Sequence, residues 1–177
     1  PKDFQYRANL ASFLVKTNQP DKAEKTLRAA IAQDPDADKP HLLLADFLFT
    51  VRKDSKAAEH ELMTAIKENP KNSILYFGLA GLYEKTGDAS RIMDTYREII
   101  SRFDKKPEGL RARNQLASML LREGKQDEAE KLTDEVLKEN PSDNDALLIK
   151  ARLSLLRQDA QGAITALRAV LRDQQNL

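Results

Sequence analysis

The chain has 177 residues, 29 of them basic and 28 acidic, a net charge of +1 and no cysteine. That balance leaves no global field to draw nucleic acid or an anionic membrane, and no apolar run is long enough to span a bilayer. The lack of thiols excludes disulfides, thiolate catalysis and thiolate metal sites.

The small residues Ala23, Ala58, Ala129 and Ala163 recur at spacings of 35, 71 and 34. A fixed period near 34 residues marks stacked helix pairs, each unable to bury its apolar face alone. Ile92 fills the missing place in the long gap. The chain then divides into five windows, 4–37, 39–72, 73–106, 110–143 and 144–177, forming one array over 1–177. Asp38 is read as an insertion between the first two windows, and Pro107 to Gly109 as an insertion between the third and fourth.

Taken in order, the first window opens with a helix carrying the large-small pair Leu10-Ala11 and the bulky Leu14 three residues on. Asn18 makes the turn. Ala23, Leu27 and Ala30 share one face of the second helix, and Pro35 follows it. The second window departs by placing Ala45-Asp46 where the pair belongs, with Phe49 as its bulky residue. Ser55 is expected to cap its second helix, which carries Ala58, Leu62 and Ala65 before Pro70. The third has Leu79-Ala80 and Tyr83, then Gly87 at the turn, Asp88 as cap, and Ile92, Tyr96 and Ile99. Gly78 and Gly81 in its first helix read as close packing or groove clearance. The fourth has Leu116-Ala117, Leu120, Gly124, then Ala129, Thr133 and Val136, with Pro141 behind them. Ser142 is expected to cap the fifth window, where Lys150-Ala151 is a weaker pair and Ser154 breaks the pattern before Ala163, Leu167 and Val170. Asp104 and Gln175 stand where the third and fifth windows lack the proline. Residues three and four apart lie on one helical face, and small ones there let two helices approach closely.

This pattern, over essentially the whole chain, resembles the tetratricopeptide repeat family. The resemblance implies an all-α fold, a right-handed α-solenoid of five helix-turn-helix repeats, with first helices lining a concave face. It implies a non-catalytic scaffold that binds a peptide or protein segment in that groove. One variant of the family holds a peptide's terminal carboxylate on Lys, Asn and Arg from three successive first helices. No register here supplies that set; the first, for example, offers Ala8, Ser12, Leu44, Ile74 and Gly78. The chain begins at Pro1 without an initiator Met, and its last helix, Gln161 to Arg172, still carries Ala163, Ile164, Leu167 and Leu171. A piece excised from a longer array is therefore expected, with room for a removed signal. Periplasm and cytoplasm both stay open.

Chemistry of other kinds is hard to find. His41 and His60 are the only histidines and do not form an i, i+4 pair, so they are expected to face solvent or pack partly, with no metal. No phosphate-binding loop, nucleophile elbow or zinc-binding helix motif occurs, and no cofactor is expected. Paired acids such as Asp36 and Asp38 fall at turns between windows and read as caps.

The groove is the better candidate. Leu43, Phe47, Ile74 and Phe77 are expected to line its apolar part, with Ala8, Ser12 and Gly81 as small floor positions. Arg111, Asn114, Ser118, Arg122 and Arg152 follow, basic and amide-bearing. The aromatics would take side chains of a bound segment, and Arg111 and Arg152 would hold its carboxylates. The plainer reading packs the aromatics between helices and leaves the arginines solvated. Residues 97–125 hold eight basic and four acidic side chains, which read as a solvated surface or as a contact for an acidic partner. The leading expectation is an interaction segment of a larger bacterial assembly, polysaccharide secretion among them. The alternatives are a nucleic-acid-binding helical repeat and a regulatory domain of a truncated enzyme. The first of these requires basic or amide residues at fixed positions in every window, which this chain lacks.

Overall fold

The structure, a computed structural model, describes residues 2–174, with side-chain surroundings from 4 to 172. Gln175 and the last positions of the fifth window lie outside the described residues. Among those described there are ten α-helices and no strand. They are α1 (Lys2–Lys16), α2 (Pro20–Gln33), α3 (Asp38–Thr50), α4 (Ser55–Glu68), α5 (Ser73–Thr86), α6 (Ala89–Phe103), α7 (Pro107–Arg122), α8 (Gln126–Glu139), α9 (Asn144–Leu156) and α10 (Ala160–Gln174). The fold class is all-α, a helical repeat.

Two compact units divide the chain, residues 1–95 and 96–177, and the division falls inside α6. In the first, α1 packs on α2, α2 on α3, α3 on α4, and α4 on α5; α3 also meets α5 directly. In the second, α7 packs on α8, α8 on α9, and α9 on α10, with α7 against α9. Contact between alternate helices places first helices side by side in each unit.

The small positions carry the close approaches. Ala23, Ala58, Ala129 and Ala163 are all buried, as are Ile92 in the third window and the paired residues Leu27, Leu62, Tyr96 and Thr133. At turns, Asn18, Gly87 and Gly124 adopt positive φ of 57°, 74° and 79°. Lys53 and Gln158 do the same at 57° and 61° without being glycine or asparagine. Asp88 caps α6 by accepting from the Arg91 N–H at 3.1 Å. The other two expected caps are displaced. Asp54, not Ser55, accepts from the Ala57 N–H, and Asp143, not Ser142, accepts from the Ala146 N–H, each at 2.9 Å. Each carboxylate stands just ahead of its helix. Ser55 is already inside α4, and Ser142 lies two residues ahead of α9.

The second window corrects the expected register. Leu44, Ala45 and Leu48 are the buried large-small-large set, while Asp46 is exposed and Phe49 half-buried. They match Leu10-Ala11-Leu14 with a slip of one residue. The extra residue therefore sits in the four-residue turn 51–54 between α3 and α4, not at Asp38, which is the first residue of α3. A slip of one residue turns a helix by about 100°. The insertion Pro107 to Gly109 is likewise no loop; it forms the first turn of the 16-residue α7. Gly109 is required there, because a Cβ would stand 1.9 Å from the Asp104 carbonyl oxygen.

Ion pairs tie successive helix pairs together. Arg52, just after α3, donates to Asp21 at 2.6 Å and Glu24 at 2.9 Å on α2. Arg157, just after α9, repeats this with Glu130 at 2.7 Å and Asp127 at 3.4 Å on α8.

Candidate functional site

The surface of interest is the side-by-side first helices, taken in each unit by itself. In the first unit, the register of α3 decides what faces outward. Phe47 was expected to offer its ring to a partner; it is 5% exposed, packed inside, with the Arg52 guanidinium 5.6 Å from its centroid. Leu43 is half-buried and borders a depression of about 440 Å³ between α1 and α3, with Leu42, Asp46, Lys39 and Ala8. After the slip, Leu42 and Asp46 hold the places that the sequence assigns to Leu43 and Phe47, and Phe49, expected as the bulky residue of its window, is half-buried. Ile74 is 52% exposed and Phe77 half-buried on α5. Across α3 and α5, Lys85 donates to Asp46 at 2.6 Å and lies 5.7 Å from the Phe49 ring centroid. This face is thus apolar around one ion pair.

Gly78 and Gly81 divide the two roles read from sequence. A Cβ at Gly78 would meet Leu42 Cδ2 at 2.2 Å, so this glycine serves close packing. Gly81 has nothing within 4 Å and leaves the surface open.

In the second unit, α7 and α9 enclose a notch of about 140 Å³ lined by Asn114, Gln115, Ser118, Asp145, Leu148, Ile149 and Arg152. The structure therefore brings Asn114 and Arg152 together. Arg152 is exposed and has no hydrogen bond or ion pair among the described residues. Asn114 is 3% exposed; its Nδ2 donates to Asp143 at 2.8 Å, while its Oδ1 is buried without a partner. Arg111 and Arg122 are exposed on α7 and do not line the notch. The notch presents a cation (Arg152), a carboxylate (Asp145), a hydroxyl (Ser118) and a primary amide (Gln115), while the unpartnered Asn114 Oδ1 lies buried beneath them. These groups can hold a main-chain amide and a carboxylate.

Much of the basic stretch 97–125 is neutralised internally. Arg102 pairs with Glu98 at 2.9 Å, Lys105 with Glu139 at 2.7 Å and Lys125 with Glu123 at 2.8 Å. Arg113 is buried and locks the α6–α7 turn. It donates to the Asp104 carbonyl at 2.7 Å and carboxylate at 3.1 Å, and to Glu135 on α8 at 2.9 Å. Sequence reasoning passed over Arg113 because only its phase on α7, two residues past Arg111, separates a structural arginine from a surface one.

His41 departs from expectation too. It is buried, with Nδ1 2.8 Å from Glu61 and Nε2 2.9 Å from the Pro35 carbonyl, so it joins α3 to α4 and to the preceding turn. His60 is exposed. Tyr83 donates to Glu59 at 2.9 Å, and Arg91 grips the same carboxylate at 2.8 Å. Burial pushes the Tyr83 hydroxyl above its ordinary value and the Glu59 bond adds to this, against an opposing pull from Arg91. No group of three or more His, Cys, Asp or Glu side chains among the described residues can hold a metal, and no described helix is long and apolar enough to cross a membrane.

Residues 4–47 and 114–176 each match a family model described as tetratricopeptide repeat, together well over half of the chain. No curated protein matches it in sequence. Among solved structures it is similar to YrrB, described as a TPR protein with an unusual peptide-binding site, at 19% identity and a TM-score of 0.60, covering 96% of this chain and 85% of that one. It is also similar to Pseudomonas aeruginosa pilF, at 19% identity and TM-score 0.66, covering 97% and 76%. A third is a tetratricopeptide repeat protein from Parabacteroides merdae, at 18% identity and TM-score 0.64, covering 99% and 68%. Likeness at such identity shows the fold.

Proposed function

The chain belongs to the tetratricopeptide repeat family and is a protein-interaction scaffold, and from that premise we propose that it holds an extended or helical protein segment bearing acidic groups on its first helices, without catalysis. The observation that carries the proposal is the α7–α9 notch, where the exposed, unpaired Arg152 shares the lining with Gln115 and Ser118. Arg152 supplies a fork for a carboxylate, and the Gln115 amide and Ser118 hydroxyl offer hydrogen bonds to the main chain of the same segment. In the first unit, Ile74, Phe77, Leu42 and Phe49 supply apolar contact around the Asp46–Lys85 pair. Arg111 and Arg122 add exposed charge that steers an acidic partner without gripping it.

YrrB's printed description, a peptide-binding site on this fold, supports the class of ligand. The setting we propose is a larger bacterial assembly, polysaccharide secretion among the candidates. It rests on the regular window lengths and on the Asp34-Pro35, Asn69-Pro70 and Asn140-Pro141 ends; the flanking gene sequence tests it.

Binding is expected to weaken with salt yet keep an apolar remainder, because exposed ionic contacts are screened and apolar ones are not. A partner captured by cross-linking in the native host is titrated against Arg152→Ala, Ser118→Leu and Phe77→Ala, with folding checked by circular dichroism. Loss of a desolvated arginine contact costs about 2–5 kcal/mol. If all three variants bind like the parent while Arg97→Ala, on the second-helix side, abolishes binding, the first helices are not the working face.

A further inference from the structure

Between the second helices α6 and α8 lies a slot of about 370 Å³ whose lining residues all belong to the second unit. Its floor is α7, where Leu116 and Leu120 are 3% and 2% exposed, so the slot reaches down to the core. Ile100 on α6 and Leu132 on α8, both half-buried, form its walls, and Arg97 and Lys131 stand on the same two helices. Pockets for small molecules run from about 300 to 1,000 Å³ and pair an apolar lining with a few polar groups.

The first unit shows what this slot lacks. Counting from the buried Ala58 and Ala129, the place of Leu132 is held on α4 by Glu61. Glu61 lies 2.8 Å from His41 on α3 and 3.9 Å from Arg28 on α2, so an ion-pair network bridges the second helices there. Arg97 keeps the place of Arg28, while the place of the bridging carboxylate is apolar. The place of His41 is held by Arg113, which turns to Asp104 and Glu135 instead.

Charge at the mouth is uneven. Glu135 is gripped by Arg113 at 2.9 Å. Glu128 acts on Lys125, whose ammonium is held above its ordinary value chiefly by Glu123, with Glu128 adding to this. Lys131 is exposed and has no hydrogen bond or ion pair among the described residues. The acids thus have cations of their own, and Lys131 is left over.

We propose that the slot binds an amphipathic monocarboxylate, an unbranched apolar tail with one anionic head, of the kind a medium-chain fatty acid provides. The tail lies over Leu116 and Leu120 between Ile100 and Leu132, and the head meets Lys131, with Arg97 on the opposite wall. Each methylene taken out of water tightens binding about fourfold until the slot is full. A charge-assisted hydrogen bond to the head adds roughly tenfold or more. The site is independent of what the first helices bind.

Hexanoate, octanoate and decanoate, each below its micelle concentration, are titrated into the 177-residue chain and followed by the methyl resonances of Ile100, Leu116, Leu120 and Leu132. Those methyls are expected to shift, with affinity rising about fourfold per methylene. Lys131→Glu is expected to weaken decanoate about tenfold or more and to leave decan-1-ol unchanged, and decylamine is expected to bind the parent more weakly than decanoate does. Leu132→Glu, which copies the first unit, is expected to abolish binding. Circular dichroism checks its folding, and the solvent-facing Lys131→Glu decides alone if that chain does not fold. No shift at these methyls, affinity that does not rise with chain length, or decanoate held equally by the parent and Lys131→Glu overturns the proposal, as does decylamine that binds as tightly as decanoate.

Discussion

Glu24 shows how a single carboxylate couples helix pairs to solution conditions. Burial acts to raise it, but Arg28 and Arg52 outweigh burial and hold it below its ordinary value. A carboxyl depressed in the folded state contributes stability that is present above the unfolded value and lost as pH falls through the folded one. Melting temperature is therefore expected to drop on acidification below about pH 4, and to drop less in Arg52→Gln. Equal acid sensitivity in the two chains would assign the effect to other carboxyls. Glycines give a sharper contrast. Gly109→Ala forces a Cβ into the Asp104 carbonyl and is expected to cost roughly 1–3 kcal/mol. Gly81→Ala, on an open face inside α5, is expected to gain about 0.5–1 kcal/mol. Chemical denaturation of both variants reads the two signs.

Elements were legible where spacing carries the information. The buried Ala23, Ala58, Ala129 and Ala163, with Ile92 in the long gap between the second and third of them, located the second helices, and Ala129 is fully buried on α8 as expected. Ala129→Phe is expected to overpack that crossing and cost roughly 1–3 kcal/mol; an unchanged melting temperature would place the α8 register elsewhere. The first helix of the second window was misread because Ala45-Asp46 imitates the large-small step at the wrong phase. Composition around α3 is apolar on several sides, so its sequence does not fix its rotation, and the groove places drawn from it moved from Leu43 and Phe47 to Leu42 and Asp46. The caps failed for a related reason. Ser and Asp are adjacent at the starts of α4 and α9, and only the position of the helix start selects between them. Arg111, Arg113 and Arg152 look alike in sequence, while only packing makes Arg113 a strut and leaves Arg152 free.

At the scale of the whole molecule, stability is expected to be modular, because α9 rests on α7 and α8 and α10 on α9. Deleting residues 144–177 is expected to leave a helical, cooperatively melting chain of lower melting temperature. A truncated chain without helical circular dichroism at room temperature would mean that the second unit folds only as a whole. The turns set a different limit. Lys53 and Gln158 hold left-handed backbone that costs a side-chain-bearing residue on the order of 1 kcal/mol, while Gly87 and Gly124 meet the same demand freely. The chain therefore melts below the ceiling its own architecture permits, and that shortfall resides in solvent-facing corners, where it can be relieved without disturbing a single packed side chain.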